Sequence, residues 1–90
     1  MPYIKQEQRP PLDVHLNGLM PADEGELNYV LSTICQAYLQ RKGVRYANIN
    51  AVIGALECCK LENYRRVAAI YEGKKIFENG DAMVLEDFRL

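Results

Sequence analysis

A helical spacing of apolar residues that extends over about thirty residues is the feature that most constrains the fold of this 90-residue chain. The helix it predicts starts near Tyr46 to Asn50, runs to about Glu78 and stops at Asn79-Gly80. A helix of that size is about 45 Å long, which exceeds the width of a compact monomer of this mass. It therefore either breaks near Gly73 or projects into an oligomer. Its apolar stripe consists of Ile49, Val52, Ile53 and Leu56.

Two shorter helices are predicted before the long one. Residues 22–43 begin with acids and end with Arg41, Lys42 and Gly43, an arrangement that suits the two ends of a helix. An earlier helix should begin at Pro10-Pro11 and stop at Pro21. The stripe predicted to be buried in the second helix consists of Leu27, Val30, Leu31, Ile34 and Tyr38.

These elements predict an all-α fold, a small helical bundle with one long C-terminal helix. Residues 1–90 form a single helical domain, with an N-terminal extended arm over residues 1–9 and a tail over residues 82–90. A hairpin across Asn79-Gly80, pairing residues 74–77 with 82–85, is the alternative for the C-terminal end. Because so short a chain buries only about 60–65% of its unfolded surface, we expect a homo-oligomer.

The net charge of −1 hides an uneven distribution. Residues 41–75 hold eight basic and three acidic residues, whereas both flanking segments are rich in acids. Overall neutrality argues against non-specific binding to duplex nucleic acid, which usually needs a strongly basic domain. The basic zone either holds a small anion or pairs with the acidic ends.

The three cysteines are odd in number and lack the spacing of metal ligands, so we expect no metal site and a reducing, cytoplasmic location. No apolar run reaches the length of a membrane helix, so we expect no contact with a membrane. The sequence also lacks a Gly-rich phosphate loop, a nucleophile elbow and a histidine near a nucleophile. We therefore expect no catalytic residue, no cofactor and no enzymatic activity.

The apolar stripe of the long helix changes character at Lys60, which lies about 20° from Ile49 on an ideal helical wheel. In one interpretation Lys60 marks the end of packing, its methylenes covering apolar surface and its ammonium reaching water. In the other it lines a concave site and meets a bound anion or an internal carboxylate such as Glu57, because an unpartnered buried lysine is costly to keep charged. The polar residues that would line such a site are Lys60, Tyr64, Tyr71 and Lys74.

Arg65 and Arg66 point away from that stripe on the same ideal wheel. They form either a solvated face, in which Glu62 supports Arg66 at helical spacing, or a clamp for phosphate or carboxylate.

Four sequence blocks carry a family resemblance: PYIK at residues 2–5, GELNYVL at 25–31, VIGALECCKLENYRRV at 52–67 and YEGKKIFENGD at 71–81. With these blocks the chain resembles a family of short uncharacterised bacterial and phage proteins that share PYI, GELNY, LECxKLExYRRV and YExKKIxENGD motifs. Ile70 and Gly73 depart from the family pattern, which favours proline and an acid there.

The resemblance implies, by analogy, a phage counter-defence factor in the host cytoplasm. The leading hypothesis is a non-enzymatic binding protein, a sponge that sequesters a small anionic signalling ligand of nucleotide type. The alternative is a protein-binding inhibitor or adaptor that uses a tyrosine and arginine interface against a host protein. The candidate ligand-binding residues are Lys60, Tyr64, Arg65, Arg66, Tyr71, Lys74 and Lys75, joined by Asn28 and Tyr29 from a facing helix.

Overall fold

The computed structural model describes residues 3–81, and within this range it contains helices, turns and no strand. The last three elements follow one another without interruption and form one long C-terminal helix of 34 residues. The predicted all-α fold with a long C-terminal helix is thus confirmed, while the predicted tail over residues 82–90 lies outside the described residues. In order, the elements are a 3₁₀ turn (Gln6–Gln8), α1 (Pro10–Leu16), α2 (Glu24–Lys42), α3 (Tyr46–Asn63), a π-helical turn (Tyr64–Ala68) and α4 (Ala69–Asn79).

Contacts within the chain define two compact units, Met1–Cys58 and Cys59–Leu90. The first contains α1, α2 and most of α3, and the second contains the end of α3, the π-helical turn and α4.

The arm is extended at Lys5 but turns into the short 3₁₀ segment immediately afterwards. The Arg9 guanidinium donates two hydrogen bonds to the Ile4 carbonyl, at 3.2 and 3.0 Å, and so ties the arm to the start of α1. Helix α1 begins at Pro10 as predicted, but it ends at Leu16 rather than at Pro21. The prediction of a longer α1 is wrong because Asn17 and Gly18, both weak helix formers, follow the last turn.

Helix α2 begins where its acidic start predicts. The Asp23 carboxylate accepts a hydrogen bond from the Glu26 amide at 2.8 Å, and the Glu26 side chain accepts one from the Ala22 amide at 3.1 Å. These reciprocal bonds satisfy amides that a helix start leaves without partners. At the other end, the α2 carbonyls of Lys42 and Gly43 accept hydrogen bonds from the Asn48 side chain at 3.1 and 2.9 Å.

Two glycines should respond oppositely to an added methyl group. Gly43 ends α2 with φ 105° and ψ 140°, a conformation that is nearly restricted to glycine, so Gly43→Ala should lower the free energy of unfolding by about 1–3 kcal/mol. Gly73 lies inside α4 with open space around the position of a Cβ. Gly73→Ala should therefore raise the free energy of unfolding by about 0.5–1 kcal/mol. Urea unfolding of both variants measures the difference, and equal responses would contradict the assigned backbone conformations.

The long helix does not break near Gly73, and it ends at Asn79 with Gly80 at φ 85°, as the helix-stop prediction required. The alternative hairpin is wrong because residues 74–77 are helical. The unexpected feature of the long helix is the π-helical turn, in which the Ala69 amide donates a hydrogen bond to the Tyr64 carbonyl five residues earlier. Such a turn inserts one residue relative to an α-helix and rotates everything after it by about 100°.

No side chain in the described part of the chain is fully buried. The most sheltered apolar positions of α2 and α3 are only half-buried, among them Val30, Cys35, Leu39 and Val52. Large apolar residues therefore remain exposed on every helix. A 90-residue chain of ordinary apolar content would normally enclose a core, so these faces are available to partners.

None of the helices within residues 3–81 is both long enough and apolar enough to cross a membrane.

Candidate functional site

Two arginines share one carboxylate in the second unit. Glu62 forms an ion pair with Arg65, and its other oxygen lies 3.8 Å from Nη1 of Arg66. The arginine side chains are 67% and 68% exposed, whereas that of Glu62 is only 18% exposed. One carboxylate neutralises only one of two guanidinium groups, so this group of three, the arginine cluster, keeps one positive charge and many unused N–H donors.

The spacing of the three residues explains the arginine cluster. Arg65 and Arg66 follow Glu62 by three and four residues, the two spacings that make neighbours on a helix surface. The sequence predicted the contact of Glu62 with Arg66; the contact with Arg65 through the same side chain was not predicted. The arginine cluster lies where α3 passes into the π-helical turn.

Tyr71 and Lys75 form a second local pair, one turn apart on α4. The Lys75 ammonium lies 5.5 Å from the centre of the Tyr71 ring, within range of a cation–π interaction, and 3.3 Å from the Glu78 carboxylate. The ring and the lysine both remain exposed. The face of Tyr71 can therefore accept a cation or stack on another ring.

The π-helical turn decides which lysine of α4 lies on the same side of the helix as the arginine cluster. On an uninterrupted α-helix Lys74 would lie about 120° from Glu62, near the direction of Lys60. With the inserted residue, Lys74 lies about 20° from Glu62 and about 140° from Lys60. Lys74 is exposed and forms no ion pair with any other residue in the range 3–81. Lys74 therefore lies on the same side of the helix as the arginine cluster, about 12 Å farther along the axis than Arg66.

Lys60 and Tyr64 lie on the other side of the helix. Lys60 is about 160° from Glu62, and Tyr64 is about 40° from Lys60. Both are exposed, so the structure does not enclose Lys60 in a concave site. By the same geometry Lys75 falls on the side of Lys60, and Tyr71 falls between the two sides.

Asn28 and Tyr29 are the two residues of α2 that were predicted to bind the ligand, and only one of them borders a groove. Asn28 borders a groove of about 360 Å³ in the first unit, whereas Tyr29 is exposed and lies outside that lining. The groove carries amides, a hydroxyl, a thiol and leucines but no cation, so it suits an apolar partner rather than an anion. Its lining consists of Asn28, Leu31, Ser32, Cys35, Gln36, Leu39 and Leu56.

The groove was missed because, apart from Leu31, its residues from α2 lie beside the apolar stripe of that helix. Positions 28, 32, 35 and 39 nevertheless recur at four- and three-residue spacing, which marks a second helical face. That spacing was the available signal. The polar residues within it obscured the pattern.

The side chains that contact one another in the second unit include three cations, one tyrosine ring and two carboxylates. The cations can bind anions, and the ring can bind a cation or another ring. Within residues 3–81, no three His, Cys, Asp or Glu side chains lie together as metal ligands. The three cysteines carry free thiols.

No curated protein and no solved structure matches this chain. One family model, described as "Domain of unknown function (DUF6899)", matches residues 1–82. Because that match covers nearly the whole chain, the protein belongs to this family.

Proposed function

We propose that the chain is a non-enzymatic binding protein that sequesters a small anionic ligand of nucleotide type. The observation that carries the proposal is the single Glu62 carboxylate shared by Arg65 and Arg66. The excess positive charge and the free guanidinium donors of the arginine cluster suit a phosphate, which arginine binds through two parallel hydrogen bonds. Lys74, on the same side, supplies a further charge.

An aromatic ring beside these cations favours a nucleotide over a simple ion. Tyr71 lies about 80° from Glu62 around the helix, at the edge of the side that carries the cations. A ligand whose phosphates contact Arg66 and Lys74 would place its base within reach of the Tyr71 ring. The eight residues from Arg66 to Lys74 span about 12 Å along the axis, a length that suits a phosphate chain or a dinucleotide better than one phosphate.

The biological setting belongs to the same proposal. The resemblance to short bacterial and phage proteins supports a phage counter-defence role in the host cytoplasm, where removal of a signalling nucleotide would silence the defence that it activates. A sponge needs affinity and abundance rather than a catalytic group, which fits a small chain whose assembled side chains only bind.

Thermal unfolding in the presence of single compounds tests the proposal. Inorganic pyrophosphate, linear nucleotides and cyclic dinucleotides are each added to the wild-type chain, to Arg65→Ala/Arg66→Ala, and to Lys5→Ala/Arg45→Ala as a control that also removes two positive charges. We expect one class to stabilise the wild type and the control by about 2.7 kcal/mol at a hundredfold excess over Kd. The arginine variant should show no stabilisation. A panel without effect on the wild type, or equal stabilisation of all three proteins, would overturn the proposal.

A protein-binding role is the second candidate, and exposed apolar residues near the arginine cluster favour it. Phe77 of α4 is 91% exposed, and Val67 and Ile70 are also exposed. Aromatic and arginine side chains dominate protein interfaces. If the compounds have no effect, capture of one host protein by the wild type but not by Phe77→Ser would support this candidate; equal recovery by both would count against it.

A further inference from the structure

Helix α2 carries a heptad pattern from one end to the other. Six positions recur at alternating spacings of three and four residues, which is the repeat of a coiled-coil seam. The outer two positions are charged with opposite sign, and the inner four are apolar. These positions are Glu24, Leu27, Leu31, Ile34, Tyr38 and Arg41, and we call them the α2 seam.

The α2 seam is open in the single chain. Its four apolar side chains are between 39% and 51% exposed, and Leu31 also borders the groove, to which α3 contributes Leu56. A seam of this kind normally inserts its side chains between those of a facing helix. Within residues 3–81 no such helix covers it.

The order of the seam residues identifies what can cover it. When two copies of the α2 seam are aligned in opposite directions, each position faces a residue of matching chemistry. Glu24 faces Arg41, Leu27 faces Tyr38, and Leu31 faces Ile34. Antiparallel coiled coils align their two seam positions in this way, layer by layer. A two-fold axis between Leu31 and Ile34 generates every one of these pairs twice, as an isologous interface requires.

Charge at the two ends agrees with this register. Asp23 and Glu24 precede the apolar layers, and Arg41 and Lys42 follow them. Glu24, Arg41 and Lys42 form no ion pair with any residue in the described part of the chain. In the antiparallel arrangement each acidic end lies beside the basic end of the other copy, whereas a parallel arrangement would place like charges together.

We infer that two copies of this chain associate through antiparallel packing of α2 on α2 of the partner subunit. The apolar layers exclude water, and the charged ends select the antiparallel orientation. Only three residues separate α2 from α3, so the start of α3 lies near the Arg41 end of the α2 seam. This inference rests on α2 alone and is independent of the ligand proposed for the second unit.

Charge reversal tests both the surface and its orientation. Glu24→Arg places two like-charged pairs in the dimer, and so does Arg41→Glu, so each should raise the dissociation constant by about tenfold. The double variant Glu24→Arg/Arg41→Glu restores opposite charges and should return it to within about threefold of the wild type. Gln40→Glu, which changes charge on the outer face, should have little effect.

A mixture of the two single variants gives the decisive readout. The Glu24→Arg chain and the Arg41→Glu chain complement each other at both ends, so the mixture should form heterodimers in preference to either homodimer. Native mass spectrometry reports the three species, and sedimentation velocity reports assembly of each protein alone. A wild-type chain that is monomeric at micromolar concentration would overturn the inference, as would a random mixture of dimers or single reversals that assemble like the wild type.

Discussion

Ile34→Glu should convert the assembled protein into folded monomers. Position 34 lies in the central layer of the α2 seam, so the two-fold arrangement would bury two carboxylates opposite Leu31 of each copy. Burial of an unpaired carboxylate costs several kcal/mol, which should raise the dissociation constant at least about a hundredfold. In the single chain Ile34 is 51% exposed, so the same glutamate reaches water and the helices persist.

Sedimentation velocity measures the loss of assembly, and far-UV circular dichroism measures retained helix. Thr33→Glu is the matched control, because position 33 points more than about 100° away from the α2 seam and adds the same charge to the same helix. The control should assemble as the wild type does. If both variants assemble alike, the α2 seam is not the contact between copies. If Ile34→Glu loses its helices together with assembly, the prediction of a folded monomer is contradicted.

Insertion of one alanine after Ala69 should abolish most anion binding while leaving the long helix intact. The added residue lies in α4 directly after the π-helical turn, and alanine continues an α-helix readily. Everything after the insertion then rotates by about 100°, which moves Lys74 from about 20° to about 120° from Glu62 and away from the two arginines. Loss of one cation from a site of three should weaken binding by about tenfold or more.

Calorimetry with the compound that stabilises the wild type measures this affinity, and circular dichroism measures helix content. Gly73→Ala serves as the control, because it changes the same helix without altering its phase. We expect the chain with the insertion to remain as helical as the wild type, since alanine is the best helix former. Unchanged affinity in this chain would show that the position of Lys74 around the helix does not contribute to the site.

Local signals predicted most of the helical framework. The acids at the start of α2, the basic residues in its last turn and the glycine after it correctly predicted the two ends of the helix, and Asn79-Gly80 correctly predicted the end of α4. These features act through the backbone of a few neighbouring residues, so a single sequence contains them in full. The early end of α1 was missed because the apolar spacing continues through Leu19 and Met20 after the helix has stopped.

The arrangement of the candidate site could not be predicted in the same way. An ideal wheel places Lys74 beside Lys60, and no residue type in Tyr64–Ala68 marks a π-helical turn. The turn reassigns Lys74 to the side of the arginines and Lys75 to the side of Lys60. A single inserted residue therefore changes which cations lie on the same side of the helix, although each of them was recognised from the sequence.

The most direct test of the central claim, that this chain holds a small anion through its arginines, is native mass spectrometry of the protein taken from the cells that produce it. The wild-type protein should carry an added small-molecule mass that is absent from Arg65→Ala/Arg66→Ala purified in the same way. If the wild type and the variant both show the mass of the bare chain or of its assembly, the claim is contradicted.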